Sequence, residues 1–370
     1  MRIGATLTTA GDVGVLTREQ KEARGLVPSP IRVDGFEPLR WAECRLVAEI
    51  GGPSDLNWAI RAAEAAKAAG FWAVKTQLLN RHSLVSRKAP TYGKGIGQQA
   101  DQWDEFATHG LDPGQLDVLH SACADLGLVF FASVWDEDSA ERALAHTDAL
   151  LKVGSGDITH ELLLRYLAHL GVPIILSTGA AEWWEIEQAL DWLQDAPQLA
   201  LAACTLSYPA EAQDANLNRI ASLKRMAPYH LVGYSDHCRE PWIVGEAKRC
   251  KAEFVEVHWT VTPGEGGDHD FALHPGNISE MNGTPEGWNG DHLGDGLLQP
   301  MPCELAARTG ARRSICSAFE IAEGEHWRLP DLLFLRPGGG LDPWRWSELL
   351  GRRVSRDYDE RETLDGAEAG

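Results

Sequence analysis

The chain has 370 residues, 44% of them hydrophobic and 24% charged, enough for about two domains of ~150 residues each or for one α/β barrel of ~250 residues with a smaller unit beside it. A formal net charge of −20 argues against nucleic acid and anionic membrane as partners. The opening Met1–Ala10 has neither the basic start nor the apolar run of a signal peptide, and seven scattered cysteines without a C-x-x-C pair read as reduced thiols of a cytoplasmic protein.

Residues 1–30 read as a polar N-terminal extension without a sustained period. From Cys44 onward, short apolar runs ending in a polar residue alternate with helical stretches. The predicted strands are 46–50, 71–77, 128–133, 150–154, 173–177, 199–204, 231–235 and 254–258. The predicted helices between them are 56–70, 117–127, 139–146, 161–171, 182–195, 217–226 and 242–250. The runs are continuously apolar, as strands buried on both faces require. Eight such units in ~220 residues fit an α/β fold of the (β/α)8 TIM-barrel type better than an open doubly wound sheet. No Gly-rich dinucleotide or phosphate loop follows the first strand, which also disfavours the open sheet. The barrel is assigned to residues 31–278, a Gly-, Asn- and Pro-rich linker to 279–311, and a small C-terminal domain to 312–370, with a frayed tail from Gly366.

Active sites of such barrels are built at the C-terminal ends of the strands. Read in order, the run ends offer Glu49, Lys75 and Gln77, Ser133, Lys152, Ser155 and Asp157, Ser177, Tyr208, Ser235 with Asp236 and His237, and Glu256 with His258. Any one of these alone is more often a cap or a satisfied surface group. Together, two lysines and several serines around one mouth suit a phosphate or carboxylate. His237 and His258, at the ends of neighbouring strands, could hold one divalent metal through neutral imidazoles, an open site suited to Mn²⁺ or Mg²⁺. His269 and His274 fall in the following loop and read as ordinary loop histidines.

The motifs also resemble a known family, the sialic acid synthases, in which a barrel is joined to a domain similar to type III antifreeze protein. The resemblance rests on Val47-Ala-Glu-Ile-Gly51, Lys75-x-Gln77, Lys152-Val-Gly-Ser-Gly-Asp157, Ile175-Leu-Ser-Thr-Gly179, Ser207-Tyr-Pro209 and Gly233-Tyr-Ser-Asp-His237. It continues through Glu256-x-His258-x-Thr260, Gly267-Asp-His269, Arg312-Arg-Ser314 and Arg336-Pro-Gly338, so that it runs in order from about residue 33 to 360. It implies a metal-dependent condensation of phosphoenolpyruvate with an aldehyde sugar. Lys75, Ser133, Lys152, Ser155, Ser177 and Ser235 would hold phosphoenolpyruvate, and His237 and His258 the metal. Glu49, Gln77, Asp157, Tyr208 and Asp268 would line the acceptor, with Glu49 or Asp157 as the base. Arg336 would reach in from the partner's small domain in a domain-swapped homodimer.

The departures from the family pattern lie in the acceptor half. Gly52-Pro53-Ser54 stands where an Asn-His pair is usual, Leu206 where an Asn is frequent, and Asp157 where a Glu is common. Loss of a hydrogen-bonding Asn costs selectivity for the group it held, so the expected acceptor is not N-acetylmannosamine. A metal aldolase using pyruvate, or a non-catalytic sugar-binding relative, are the alternatives on the same barrel.

Overall fold

The computed structural model describes residues 28–369 apart from 88, 93–100, 109, 266 and 284–286. Eight parallel strands close into a barrel in chain order: β1 Arg45–Glu49, β2 Ala73–Gln77, β3 Val129–Val134, β4 Leu151–Val153, β5 Ile174–Ser177, β6 Leu199–Cys204, β7 Leu231–Asp236 and β8 Phe254–His258. The outer ring contains α1 Leu56–Ala68, α2 Pro113–Asp125, α3 Glu137–His146, α4 Glu161–His169, α5 Trp183–Trp192, α6 Asn218–Met226 and α7 Ile243–Arg249. The predicted elements match these within a few residues. Local chemistry sets several helix starts: Asp55 caps α1, while Asp112 with Gln115 and Asp136 with Ser139 form capping boxes for α2 and α3.

Alternation along each strand sorts the side chains. Residues facing outward, such as Ala48, Val74, Phe130, Leu176 and Val257, pack under the helices. Those facing inward fill the lower barrel with Val47, Ala73, Val129, Phe131, Ile175, Ala202, Leu231 and Phe254. Gly233 makes room for this filling, because a Cβ there would lie 2.4 Å from the Phe254 ring. Below them Ile31, Val33 and Leu39 close the N-terminal end, with Ile31 and Leu39 bridged antiparallel. The predicted N-terminal extension lies outside the described residues up to 27.

Beyond β8 the chain packs back onto the barrel. The segment expected to be a linker is fastened to the barrel: Asn216 and Asn218 hold Asp295 and Gly294, and Arg219 donates to the carbonyls of Leu297 and Gln299. It ends in α8 Leu305–Ala311 over the barrel mouth. Glu304, wholly buried, accepts from the backbone N–H groups of Ala180 and Leu206 at 2.8 Å each and pairs with Arg219 at 3.0 Å.

Residues 314–369 form a compact unit around the antiparallel pair β9 Ser314–Ser317 and β10 Leu332–Leu335, with its own core of Ile315, Trp327, Leu341, Leu349, Val354 and Leu364. Its tail is not frayed. Glu368 is buried and accepts from Trp327 Nε1 at 3.0 Å and Tyr358 OH at 2.8 Å, which ties the last described residues into that core.

Candidate active site

The C-terminal mouth of the barrel opens into a cavity of about 690 Å³, within the usual range for small-molecule sites. It is lined by the strand-end residues singled out from the sequence except Asp157 and Asp236, and by Asp268 and Arg336 as well. Strand register explains the convergence. Glu49 pairs laterally with Lys75 on one side and His258 on the other, Gln77 stands beside Ser133, Ser133 beside Lys152, and Ser235 beside Glu256. Inward-facing positions above the apolar layers therefore carry polar groups on almost every strand.

The floor of the cavity is a buried charge network. Lys75 Nζ donates to Ser133 Oγ at 2.7 Å and contacts both the Glu49 carboxylate and, at 3.3 Å, Glu256 Oε1. Lys152 Nζ donates to Ser177 Oγ at 2.7 Å and lies 3.9 Å from Glu256 Oε2. Glu256 also accepts from Ser235 Oγ at 3.3 Å. Burial works to raise the Glu256 carboxyl, but Lys152 and Lys75 overcome it and hold it down at about 2. Burial opposes the charge on Lys75, yet Glu256 and Glu49 more than offset that and raise its pKa. On Lys152 burial wins, with Lys75 adding to it, and the pKa falls. A bound anion would push the Lys152 pKa back up. Glu49 accepts from Gly51 N at 2.6 Å and Gln77 Nε2 at 3.2 Å. Ser155 Oγ accepts from Gly179 N at 2.9 Å and touches Cys204 Sγ at 3.2 Å, a thiol that burial pushes up to about 11 and keeps protonated.

Asp157 is placed away from the cavity lining. It is fully buried off the cavity wall and pairs with Arg313 Nε at 2.5 Å. The same guanidinium donates to the carbonyls of Ser83, Phe334 and Trp135 at 3.0, 2.9 and 2.6 Å. Asp157 therefore binds the small unit to the barrel. Arg336 lines the cavity within this single chain. It is set there by backbone bonds to Leu84 and Ser86, and its guanidinium donates to Tyr92 OH at 3.2 Å and Gln102 Oε1 at 3.4 Å. Residues 304–313 are anchored to the barrel, so β9 starts at its mouth.

Sequence reasoning placed Glu256 at the mouth without a specific role, and gave none to Tyr92, Glu105 or Arg313. Glu256 shares the face of His258, two residues on along the strand. Tyr92 and Glu105 lie in a long excursion between β2 and α2 that carries no periodic signal.

Residues 62–286 match the NeuB family. The chain belongs to that family. NeuB-family similarity extends well beyond the matched segment. An N,N'-diacetyllegionaminic acid synthase of Legionella pneumophila is 29% identical over 90% of this chain and 97% of its own. An N-acetylneuraminate-9-phosphate synthase of Homo sapiens is 28% identical over 88% and 94%. The crystal structure of the spore coat polysaccharide biosynthesis protein SpsE of Bacillus subtilis superposes with a TM-score of 0.77 at 26% identity, covering 91% of this chain and 98% of that one.

Within this NeuB-family barrel the two strand-end histidines lie side by side at the mouth. Their ring centroids are 5.5 Å apart. His237 directs Nδ1 to the Thr205 carbonyl at 2.7 Å, and His258 directs Nδ1 to Asp268 at 3.2 Å, which leaves each Nε2 available. Burial, with His258 nearby, pushes His237 down to about 3, so it is neutral as a ligand must be. No group of three or more His, Cys, Asp or Glu side chains gathers as a closed metal cage among the described residues. The pair therefore fits an open site completed by water or substrate.

Proposed function

We propose that this chain condenses phosphoenolpyruvate with an aldehyde sugar, forming a carbon–carbon bond and releasing inorganic phosphate to give a 3-deoxy-2-ulosonic acid. The observation that carries the reading is the cavity floor, where two buried lysines, each donating to a serine, flank Glu256 beside the His237–His258 pair. The names of the relatives, synthases of legionaminic acid and of N-acetylneuraminate 9-phosphate, support the same reaction class.

Lys75, Lys152, Ser133, Ser155, Ser177 and Ser235 bind the phosphate and carboxylate of phosphoenolpyruvate and stabilise charge as it moves. His237 and His258 would hold a divalent cation, Mn²⁺ or Mg²⁺, which when bound polarises the aldehyde oxygen as a Lewis acid. Carbon 3 of phosphoenolpyruvate forms the new bond to the aldehyde carbon, water adds at carbon 2, and cleavage of the C–O bond expels phosphate. Glu49 is the carboxylate that takes the proton of that water, because Asp157 is committed to Arg313. Gln77, Tyr208, Asp268 and Arg336 line the acceptor end.

The acceptor is an aldehyde sugar other than N-acetylmannosamine. Leu206, which stands where the family pattern often has Asn, is buried and gives only its backbone N–H, already bonded to Glu304. The C-terminal unit acts as the antifreeze-like domain of the family, and the protein as a cytoplasmic homodimer in which the small domains need not be exchanged for a mouth to be covered. No helix among the described residues is long and apolar enough to cross a membrane. The test is phosphate release from phosphoenolpyruvate with Mn²⁺ and a panel of aldehyde sugars. Release requiring both metal and a sugar is expected. Turnover of pyruvate without phosphate release would support the aldolase alternative, and failure to bind phosphoenolpyruvate would overturn the reading.

A further inference from the structure

The charged groups of the cavity fall into two sets. Lys75 and Lys152 are buried in the floor network, and the charged lining groups outside that network, among the described residues, are the carboxylates of Asp55, Asp104, Glu105, Glu265 and Asp268 and one lysine or arginine, Arg336. Asp268 is engaged by His258. Glu105 is different: it is half-buried, lines the cavity from the short helical turn Gln102–Glu105, and its carboxyl has no hydrogen-bonding partner among the described residues. Its position is fixed because the neighbouring Gln102, almost wholly buried, donates to the carbonyls of Pro90 at 2.8 Å and Gly310 at 2.9 Å. Burial, reinforced by Asp268 and only partly countered by Arg336, pushes the Glu105 carboxyl up to about 7. Arg336 is itself 7% exposed on the same wall, and its buried Nε has no partner. The wall therefore offers one unused donor and an unused acidic group to a ligand.

We infer that Glu105 determines acceptor specificity: it receives a hydrogen-bond donor, a hydroxyl or ammonium, from the distal end of the sugar, and it excludes acceptors that carry a phosphate or carboxylate there. This rests on the reading of the cavity as a phosphoenolpyruvate–sugar site and names the class of sugar. Above a pH of about 7, where the Glu105 carboxyl is ionised, a terminal phosphate would bring about two negative charges against this wall, and partial desolvation strengthens the repulsion. Arg336 alone does not balance it, because Asp268 and Glu105 act on the same region. A site that rejects by like charge discriminates more sharply than one that merely lacks a contact.

The experiment compares kcat/KM for phosphate release across a panel of neutral aldoses and N-acylhexosamines, each beside its terminal phosphate ester, in the wild type, Glu105→Gln and Glu105→Arg. Calorimetric binding of phosphoenolpyruvate is measured in all three. The neutral member of each active pair is expected to be preferred by about 100-fold in the wild type. Glu105→Arg should narrow that preference at least about tenfold through acceptor KM, and Glu105→Gln should do so more weakly. Preference for the phosphate ester, or a ratio unmoved in both variants, overturns the inference while leaving the condensation standing. Absence of phosphoenolpyruvate binding in the wild type overturns the reading of the site and this inference with it.

Discussion

The carboxylates around this mouth share one chemistry and differ in what holds them. Glu256 lies between two lysines, Glu49 contacts Lys75 and faces the cavity, and Asp157 is locked to Arg313. Glu49→Gln is expected to lower kcat by at least about 100-fold with the fold intact, as removal of a positioned proton acceptor does. Asp157→Asn should act instead on stability. Leaving Arg313 buried without its carboxylate costs about 3 kcal/mol, read as a lower urea midpoint, with acceptor KM rising more than kcat falls. Equal loss of kcat in both variants would return Asp157 to the list of bases. His237→Ala should abolish metal-dependent turnover, since its Nε2 would be one of the two proposed ligands and no cluster of three or more possible ligands exists among the described residues to replace it. Full metal-dependent activity in that variant would remove the metal from this position. At this scale the sequence was informative wherever a residue ended an apolar run, because strand ends of a barrel converge. The pairing of Asp157 is not legible in the same way, because its partner Arg313 is 156 positions away.

At the scale of elements, the strands were legible because burial on both faces leaves continuous apolar runs, and the helices because caps and glycines punctuate them. The segment 279–311 was not legible. Its Gly, Asn and Asp residues look like a solvated linker, yet they bond to α6 and the β6 loop through contacts 74 to 98 positions apart. Composition alone does not distinguish a loop in water from a loop whose polar groups are satisfied by the protein. Glu304 is the anchor of this segment, so Glu304→Ala should strand Arg219 in the interior and free two backbone N–H groups. A loss of about 3–5 kcal/mol is expected, measured by denaturant unfolding. A change below about 1 kcal/mol would mean that α8 stays in place without this anchor.

For the whole molecule, the question is which barrel each small unit serves. The connection from Glu304 to Arg313 is bound to its own barrel at three points: Glu304 to Arg219, Arg312 to Glu185 at 3.1 Å, and Arg313 to Asp157 at 2.5 Å. Gly156 lets α8 approach closely, since a Cβ there would lie 2.4 Å from the Ala311 carbonyl oxygen. Exchange of caps between two chains would have to carry all of these contacts across together. Two variants separate the arrangements: Lys75→Ala disables the floor and Arg336→Ala disables the cap. Each alone is expected to be impaired. Co-expressed with different tags and purified as a mixed assembly, an exchanged dimer would contain one mouth with a native floor beneath a native Arg336, and activity would recover. With each cap on its own barrel, every mouth carries one defect, so no recovery above the parents is expected. Recovery would show that the contacts made here within one chain are made between two in the assembled protein.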